Sequence, residues 1–358
     1  MMSAISIKKS KYLLVYITPV VVIFSLFQEE IWTFTALFVL FGLLPFFELF
    51  TQGSTQNLTE VEEEMAKADA TYDWVLYSLV PLQYFTLLLF LYQVSAQDLS
   101  TLSMVGMTVA YGLSCGVLGI NAAHELGHRQ TGYEQWMSKA LLLTTLYMHF
   151  FIEHNRGHHK NVSTDEDPAS SKQGEIIYTF FVKSIVGSWI SAWKLEKDRL
   201  EKAKIPFISA SNEMLRFQIL QLILVLVIYF SVGKLITILF FGGSLIGILL
   251  LESVNYIEHY GLRRKKIGDR YERTMPIHSW NSNHPIGRVV LLELSRHSDH
   301  HYMANRKYQV LRHFDESPQM PTGYPGMVLL ALLPPAWFYV MDRKIQAYKQ
   351  TLTGVNLE

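Results

Sequence analysis

The chain has 358 residues, half of them hydrophobic and 17% charged, with a formal net charge of zero. Balanced charge leaves no electrostatic case for nucleic acid. A single cysteine, Cys115, excludes a disulfide framework and any cysteine-based metal module within this chain; set in an apolar run, it reads as a small buried apolar residue.

Three lysines (Lys8, Lys9 and Lys11) precede the first apolar stretch, and no small-residue cleavage site follows. The start therefore reads as a retained first membrane helix rather than a signal peptide. Six apolar stretches approach the length that crosses a bilayer, about 20 residues at 1.5 Å rise each. They cover 11–27, 31–50, 74–95, 101–123, 214–230 and 234–256, and short connectors pair them into three hairpins. With the N-terminus in the cytoplasm, the outer connectors 28–30, 96–100 and 231–233 hold no lysine or arginine. Apart from Lys234 at one edge, every basic residue then falls on the inner side, as the positive-inside rule asks. The expectation is an all-α integral membrane protein with six transmembrane helices. It forms a single domain over 1–358, with cytoplasmic segments 124–213 and 257–358 and both termini in the cytoplasm. Phe34, Phe38 and Phe41 follow helical spacing on the second span and read as facing lipid or a neighbour; the alternative is that the stripe lines a substrate channel. The apolar run 136–152 reads as re-entrant or buried among other helices. The run 325–340, with its helix-breaking Pro334-Pro335, reads as lying at the interface.

Nine of the 13 histidines fall in three clusters and a singlet: His124-Glu-Leu-Gly-His128, His154-Asn-Arg-Gly-His158-His159, His297-Ser-Asp-His300-His301, and His259 in Asn255-Tyr-Ile-Glu-His-Tyr-Gly261. Residues four apart share a helix face, so each cluster is expected to aim two or three ring nitrogens at one point. Imidazole binds iron, zinc, copper and nickel, and nine rings suit two ions. Glu125, Glu153, Glu258 and Asp299 stand beside these histidines, and metal-bound imidazoles usually pass their second N–H to such a carboxylate or to a carbonyl. His278 and His284 flank Trp280 as further supporting candidates. His149 reads as a hydrogen-bonded core residue, His313 as a surface or loop residue, and Asp165-Glu-Asp-Pro168 as a turn or solvated loop with no catalytic role.

The six spans put His124, His128 and His259 just past inner helix ends, with the other clusters in inner segments. Redox chemistry with O₂ needs a metal that changes valence, which favours iron; zinc suits hydrolysis. Between apolar helices the substrate is expected to be greasy and the reaction an attack on an unactivated C–H bond, by removal of a hydrogen atom and return of oxygen to the carbon. Two readings compete from outside the oxygenases. His124-Glu-Leu-Gly-His128 fits an H-E-x-x-H zinc protease with Glu125 as general base, which leaves seven histidines unexplained. A metal transporter would hold its ligands near the membrane midplane, not past the helix ends.

At these residues the chain resembles the membrane-bound non-haem di-iron alkane 1-monooxygenases. The resemblance runs through His124-Glu-Leu-Gly-His-Arg129, Glu153-His-Asn-Arg-Gly-His-His159, Asn255-Tyr-Ile-Glu-His-Tyr-Gly-Leu262 and Arg296-His-Ser-Asp-His-His301, and on through His278-Ser-Trp-Asn-Ser-Asn-His284 to Pro321-Thr-Gly-Tyr-Pro-Gly326. Arg129 stands where lysine is common, and Ser295 where a glutamine often precedes the third cluster. The resemblance implies six membrane helices in a bacterial inner membrane. It implies terminal hydroxylation of medium-chain n-alkanes with O₂ and two electrons, at two iron ions held by His124, His128, His154, His158, His159, His259, His297, His300 and His301. Membrane desaturases and xylene-type methyl hydroxylases are the nearest alternatives. The family draws electrons from a rubredoxin and its NADH-dependent reductase. One cysteine does not hold a rubredoxin iron, so that protein is expected to be separate. The basic stretch Arg263-Arg-Lys-Lys266 reads either as its acidic partner's dock or as a positive-inside anchor.

Overall fold

The computed structural model describes residues 9–96 and 98–353; the expectation for the start of the chain up to Lys8 lies outside the described residues. The described residues are mostly helical, the form in which a long apolar run satisfies its own backbone hydrogen bonds without water. Among the described residues four helices are long and apolar enough to cross a membrane, Glu30–Glu48, Ala70–Ala96, Thr101–Gly127 and Glu213–His259, and the shorter Lys11–Leu26 is also apolar.

The fourth of these has 47 residues and, if straight, would run about 70 Å. It does not run straight. Gly233 has φ 86° and ψ 176°, a backbone region open to glycine and strained for any residue with a Cβ. Gln221 before this break and Ile248 after it line one crevice. The adjacent residues Met148 and Tyr147 reach Gln221 Oε1 (3.0 Å) and Glu252 Oε1 (2.8 Å). The chain therefore reverses at Gly233, and the apolar stretches 214–230 and 234–256 lie side by side. Close packing of Thr101–Gly127 on the returning half uses small residues: a Cβ added to Gly247 would sit 2.5 Å from the Cβ of Cys115, which is buried as expected. Large apolar side chains remain outside, such as Phe230 at 80% exposure, which suits contact with lipid rather than water.

The segment 124–213 carries helices of its own. Helix Gly132–Thr144 packs against its neighbours, with Tyr84 and Tyr111 donating to the carbonyls of Ala140 (2.9 Å) and Thr144 (2.7 Å). Most of the run 136–152 is thus packed among other helices, with Trp136 at its start exposed. Helix Ile177–Lys202 was not anticipated. It buries Ile177, Phe180, Ser184, Ser188, Ala192, Glu196 and Leu200 at intervals of three and four, and the polar members of that stripe conceal the period from a hydrophobicity reading. In the C-terminal region, Pro334-Pro335 separate helix Tyr324–Ala331 from Pro334–Thr353; proline ends one helix and starts the next because only a first turn tolerates its missing N–H. Met327, Trp337 and Met341 are fully buried against Tyr256 and Tyr260, so this run joins the core instead of lying only at an interface. The acidic segment forms helix Glu60–Ala68 behind a Thr59–Glu62 capping box, and buried Glu63 takes the guanidinium of Arg312. One small departure from all-α structure is the antiparallel pair Lys266–Ile267 and Arg270–Tyr271.

Candidate metal centre

Four stretches of chain bring the nine rings together. His124 lies near the end of Thr101–Gly127 and His259 at the end of Glu213–His259, while His297–Tyr302 is a separate short helix. The backbone widens to π-helical turns at Cys115–Asn121, just ahead of His124, and at His154–His158. Such turns recur at functional sites and pair i with i+5.

The rings form two groups whose nitrogens lie within 4.8 Å of one another: His124, His128, His154, His159 and His300, and His158, His259, His297 and His301. The sequence rule of four held for His124 with His128 and for His297 with His301. It failed in the middle cluster, where His154 groups with His159 five residues on and His158 turns to the other side, as a π turn dictates. The third cluster also splits, His300 joining the first group. The two groups adjoin, with the rings of His159 and His301 4.5 Å apart.

The donor set fits metal ions. In the first group Nε2 atoms approach in a chain: His128 to His154 3.1 Å, His154 to His159 3.1 Å, His159 to His300 3.0 Å and His300 to His124 2.9 Å. In the second, His259 and His297 Nε2 are 3.3 Å apart, and the buried Nε2 atoms of His158 and His301 have no partner. A neutral imidazole nitrogen holds either one proton or one lone pair, so hydrogen bonding alone poorly serves such a cluster. Metal–imidazole bonds of ~2.1 Å put two ligands of one ion about 3.0 Å apart at a right angle and about 3.4 Å apart at the tetrahedral angle. Burial, reinforced by neighbouring rings, holds His154, His159, His297, His300 and His301 well below the ordinary imidazole range and His128 down to about 3, which leaves their lone pairs free to bind. His158 goes the other way: burial pushes it down, but the surrounding carboxylates, Asp167 foremost with Glu153 and Glu252, more than offset this.

The supporting residues differ from expectation. Glu258 faces the rings, its Oε2 3.0 Å from His297 Nε2 and its Oε1 accepting from Tyr324 (2.7 Å). Glu153 is buried beside the middle cluster and accepts from Ser191 (3.2 Å). Glu125 instead takes Arg129 (2.9 Å) and the N–H of Tyr308 (3.2 Å), an engagement unsuited to a general base. Asp299 is occupied by Arg306 (2.7 and 2.6 Å) and by the N–H of Arg312 (2.7 Å). His278 pairs with Glu272 (3.2 Å) and His284 precedes helix Pro285–Val290 as its N-cap. Ser295 donates to the carbonyl of Ser282 (2.9 Å). The residue that sequence reasoning missed is Asp167. Asp165 and Glu166 are exposed as a solvated loop should be, but Asp167 is buried and its Oδ2 is 2.9 Å from His158 Nδ1. The only signal was an acidic run that begins six residues past the middle cluster. His313 is also buried, between Asn283 (3.0 Å) and Asp315 (3.1 Å). His149 is in the core, edge-on to Tyr147, but its Nε2 has no partner.

The fatty acid desaturase family model matches residues 100–331, a stretch that holds all nine clustered histidines. The chain is 40% identical to alkane 1-monooxygenase 1 of Pseudomonas aeruginosa over 88% of its own length and 84% of the relative's. It is 38% identical to alkane 1-monooxygenase 1 of Alcanivorax borkumensis over 92% and 82%. Against the xylene/toluene monooxygenase hydroxylase component XylM of Pseudomonas putida it is 28% identical over 68% and 64%. The chain belongs to the alkane 1-monooxygenase family.

Proposed function

We propose that this protein hydroxylates the terminal carbon of medium-chain n-alkanes, in the balance R–CH₃ + O₂ + 2 e⁻ + 2 H⁺ → R–CH₂OH + H₂O. One observation carries the reading: a cavity with almost wholly apolar walls, including Leu40, Phe41, Leu44, Val117 and Val254, ends on His124, His154, His297 and Glu258. It touches rings of both groups. A chain with no polar handle enters such walls by the hydrophobic effect alone, and the histidines in the lining then meet a C–H bond rather than a polar group. Two iron ions, held by His124, His128, His154, His159 and His300 and by His158, His259, His297 and His301, would supply O₂ activation and C–H cleavage. Asp167 orients His158, and Tyr324 holds Glu258 at the cavity's end. The alkane-hydroxylating relatives support the substrate class.

Six membrane crossings with both termini in the cytoplasm of a bacterial inner membrane complete the reading, supported by the reversal at Gly233 and by the basic residues on one side. Electrons come from a separate rubredoxin. Of the basic stretch, Arg264 is structural, donating to the carbonyls of Glu272 (2.7 Å) and Lys160 (2.8 Å); Lys265 and Lys266 are exposed and free to meet an acidic partner. The decisive assay is octane conversion to 1-octanol by the purified, iron-loaded protein with rubredoxin, its reductase and NADH, at an iron content near two per chain. A single zinc, or oxidation of xylene but not octane, overturns the reading.

A further inference from the structure

Glu48 is a carboxylate at the end of an apolar helix, fully buried, where neither composition nor metal chemistry asks for one. Its Oε1 accepts the N–H of Gly287 at 2.7 Å, in the first turn of helix Pro285–Val290. Its Oε2 has no partner and lies against Gly323. A Cβ added to Gly323 would meet only Glu48 atoms at its three nearest contacts, and one added to Gly287 would come 2.8 Å from Oε1. The carboxylate is thus gripped between two glycines from separate stretches of chain. A buried polar group of this kind is costly to leave half-satisfied, so what it holds together matters.

It holds three walls of the apolar cavity. Leu40, Phe41 and Leu44 come from the helix that Glu48 ends, Gly287 from the helix it bonds, and Tyr324 and Pro325 from the turn that begins at Gly323. Tyr324 in turn holds Glu258 (2.7 Å), whose other oxygen is 3.0 Å from His297 Nε2. A shift of the Gly323 turn therefore reaches both the cavity wall and the carboxylate at its end.

We propose that Glu48 is a positioning residue that clamps these walls and so sets which carbon of the alkane is presented to the rings. The proposal rests on the alkane-hydroxylase reading for its substrate. The test compares the full-length protein with Glu48→Ala, Glu48→Gln, Gly323→Ala and the double variant Glu48→Ala/Gly323→Ala, measuring iron per chain, kcat, KM, the ratio of 2-octanol to 1-octanol, and melting temperature. At parental iron content, Glu48→Ala raises the 2-octanol share by about tenfold, and Glu48→Gln, which keeps the acceptor for Gly287, restores the parental ratio. Gly323→Ala alone lowers melting temperature and activity because its methyl strikes the carboxylate. In the Glu48→Ala background the same methyl costs little, a coupling expected of residues in contact. An unchanged product ratio in Glu48→Ala at full iron, or a Gly323→Ala penalty that is the same with and without Glu48, overturns the clamp. Should Glu48→Ala lose its iron, the melting temperatures of Glu48→Ala, Gly323→Ala and the double variant decide. Should the parent convert no alkane at all, the functional reading falls instead, and the clamp stands or falls on the melting-temperature cycle alone.

Discussion

The two groups of rings are built from the same side chain and surrounded differently. In the five-ring group His128 and His159 are only partly buried, and two of the carboxylates adjoining its histidines in sequence are engaged elsewhere, Glu125 with Arg129 and Asp299 with Arg306. The four-ring group is buried throughout. It has Asp167 at His158 Nδ1 and Glu258 beside His297. Five neutral donors with access to solvent can hold a cation without anionic help. In a drier site the charge of the ion needs compensation, because desolvation strengthens every uncompensated charge. The comparison teaches that ring count alone does not describe a histidine site; what touches the far nitrogen decides how firmly each ion is held.

The comparison can be broken most directly by removing one ring from each side. His300→Ala and His301→Ala should each lose more than the ~10–100-fold that removal of a supporting group costs, with iron falling towards one per chain. Retention of two irons in either variant breaks the assignment of rings to groups. Next in size, Asp167→Asn should weaken iron at the four-ring group by about 10–100-fold, whereas Glu125→Gln should leave iron content near parental and act on stability through Arg129. Equal effects on metal retention would erase the asymmetry. Phe41→Ala, which opens the apolar cavity wall, should raise turnover of longer alkanes by about tenfold, the scale of a methylene or more in an apolar pocket. An unchanged product profile rejects a lining role for Phe41. A smaller, few-fold rise in apparent KM for rubredoxin is expected from Lys265→Ala/Lys266→Ala, typical of rim charges; unchanged kinetics would assign these lysines to anchoring.

His149 sharpens the comparison as a ring buried outside both groups. Burial holds it down to about 4, against about 6.5 in an unfolded chain. The folded state therefore keeps it neutral while the unfolded state takes up a proton. Its contribution is full above pH ~6.5 and is lost as pH falls towards about 4. His149→Phe should flatten the loss of stability across that window, measured by thermal unfolding at stepped pH, with little change at neutral pH. An identical acid limb would show that another group governs it.

Much of this was legible from residues alone. The apolar stretches announced their helices because about 20 apolar residues have few other stable forms, and the nine histidines announced a metal centre because their spacing repeats and their chemistry is narrow. Other features were hidden for definable reasons. Helix Ile177–Lys202 hides its stripe behind serines and Glu196. Asp167 looks like its exposed neighbours until the fold turns it onto His158. Glu48 reads as the polar end of a span, and nothing in its neighbourhood names Gly287 or Gly323.

Composition and local pattern thus determined which long apolar segments are helical and which side chains could bind metal, since each depends on a residue's own chemistry and its near neighbours. The tertiary structure decided how the rings divide five and four, which carboxylates meet them, and where the apolar cavity ends. Those depend on the direction of each side chain after distant segments pack, and a π turn of one extra residue is enough to send His154 and His158 to opposite sides.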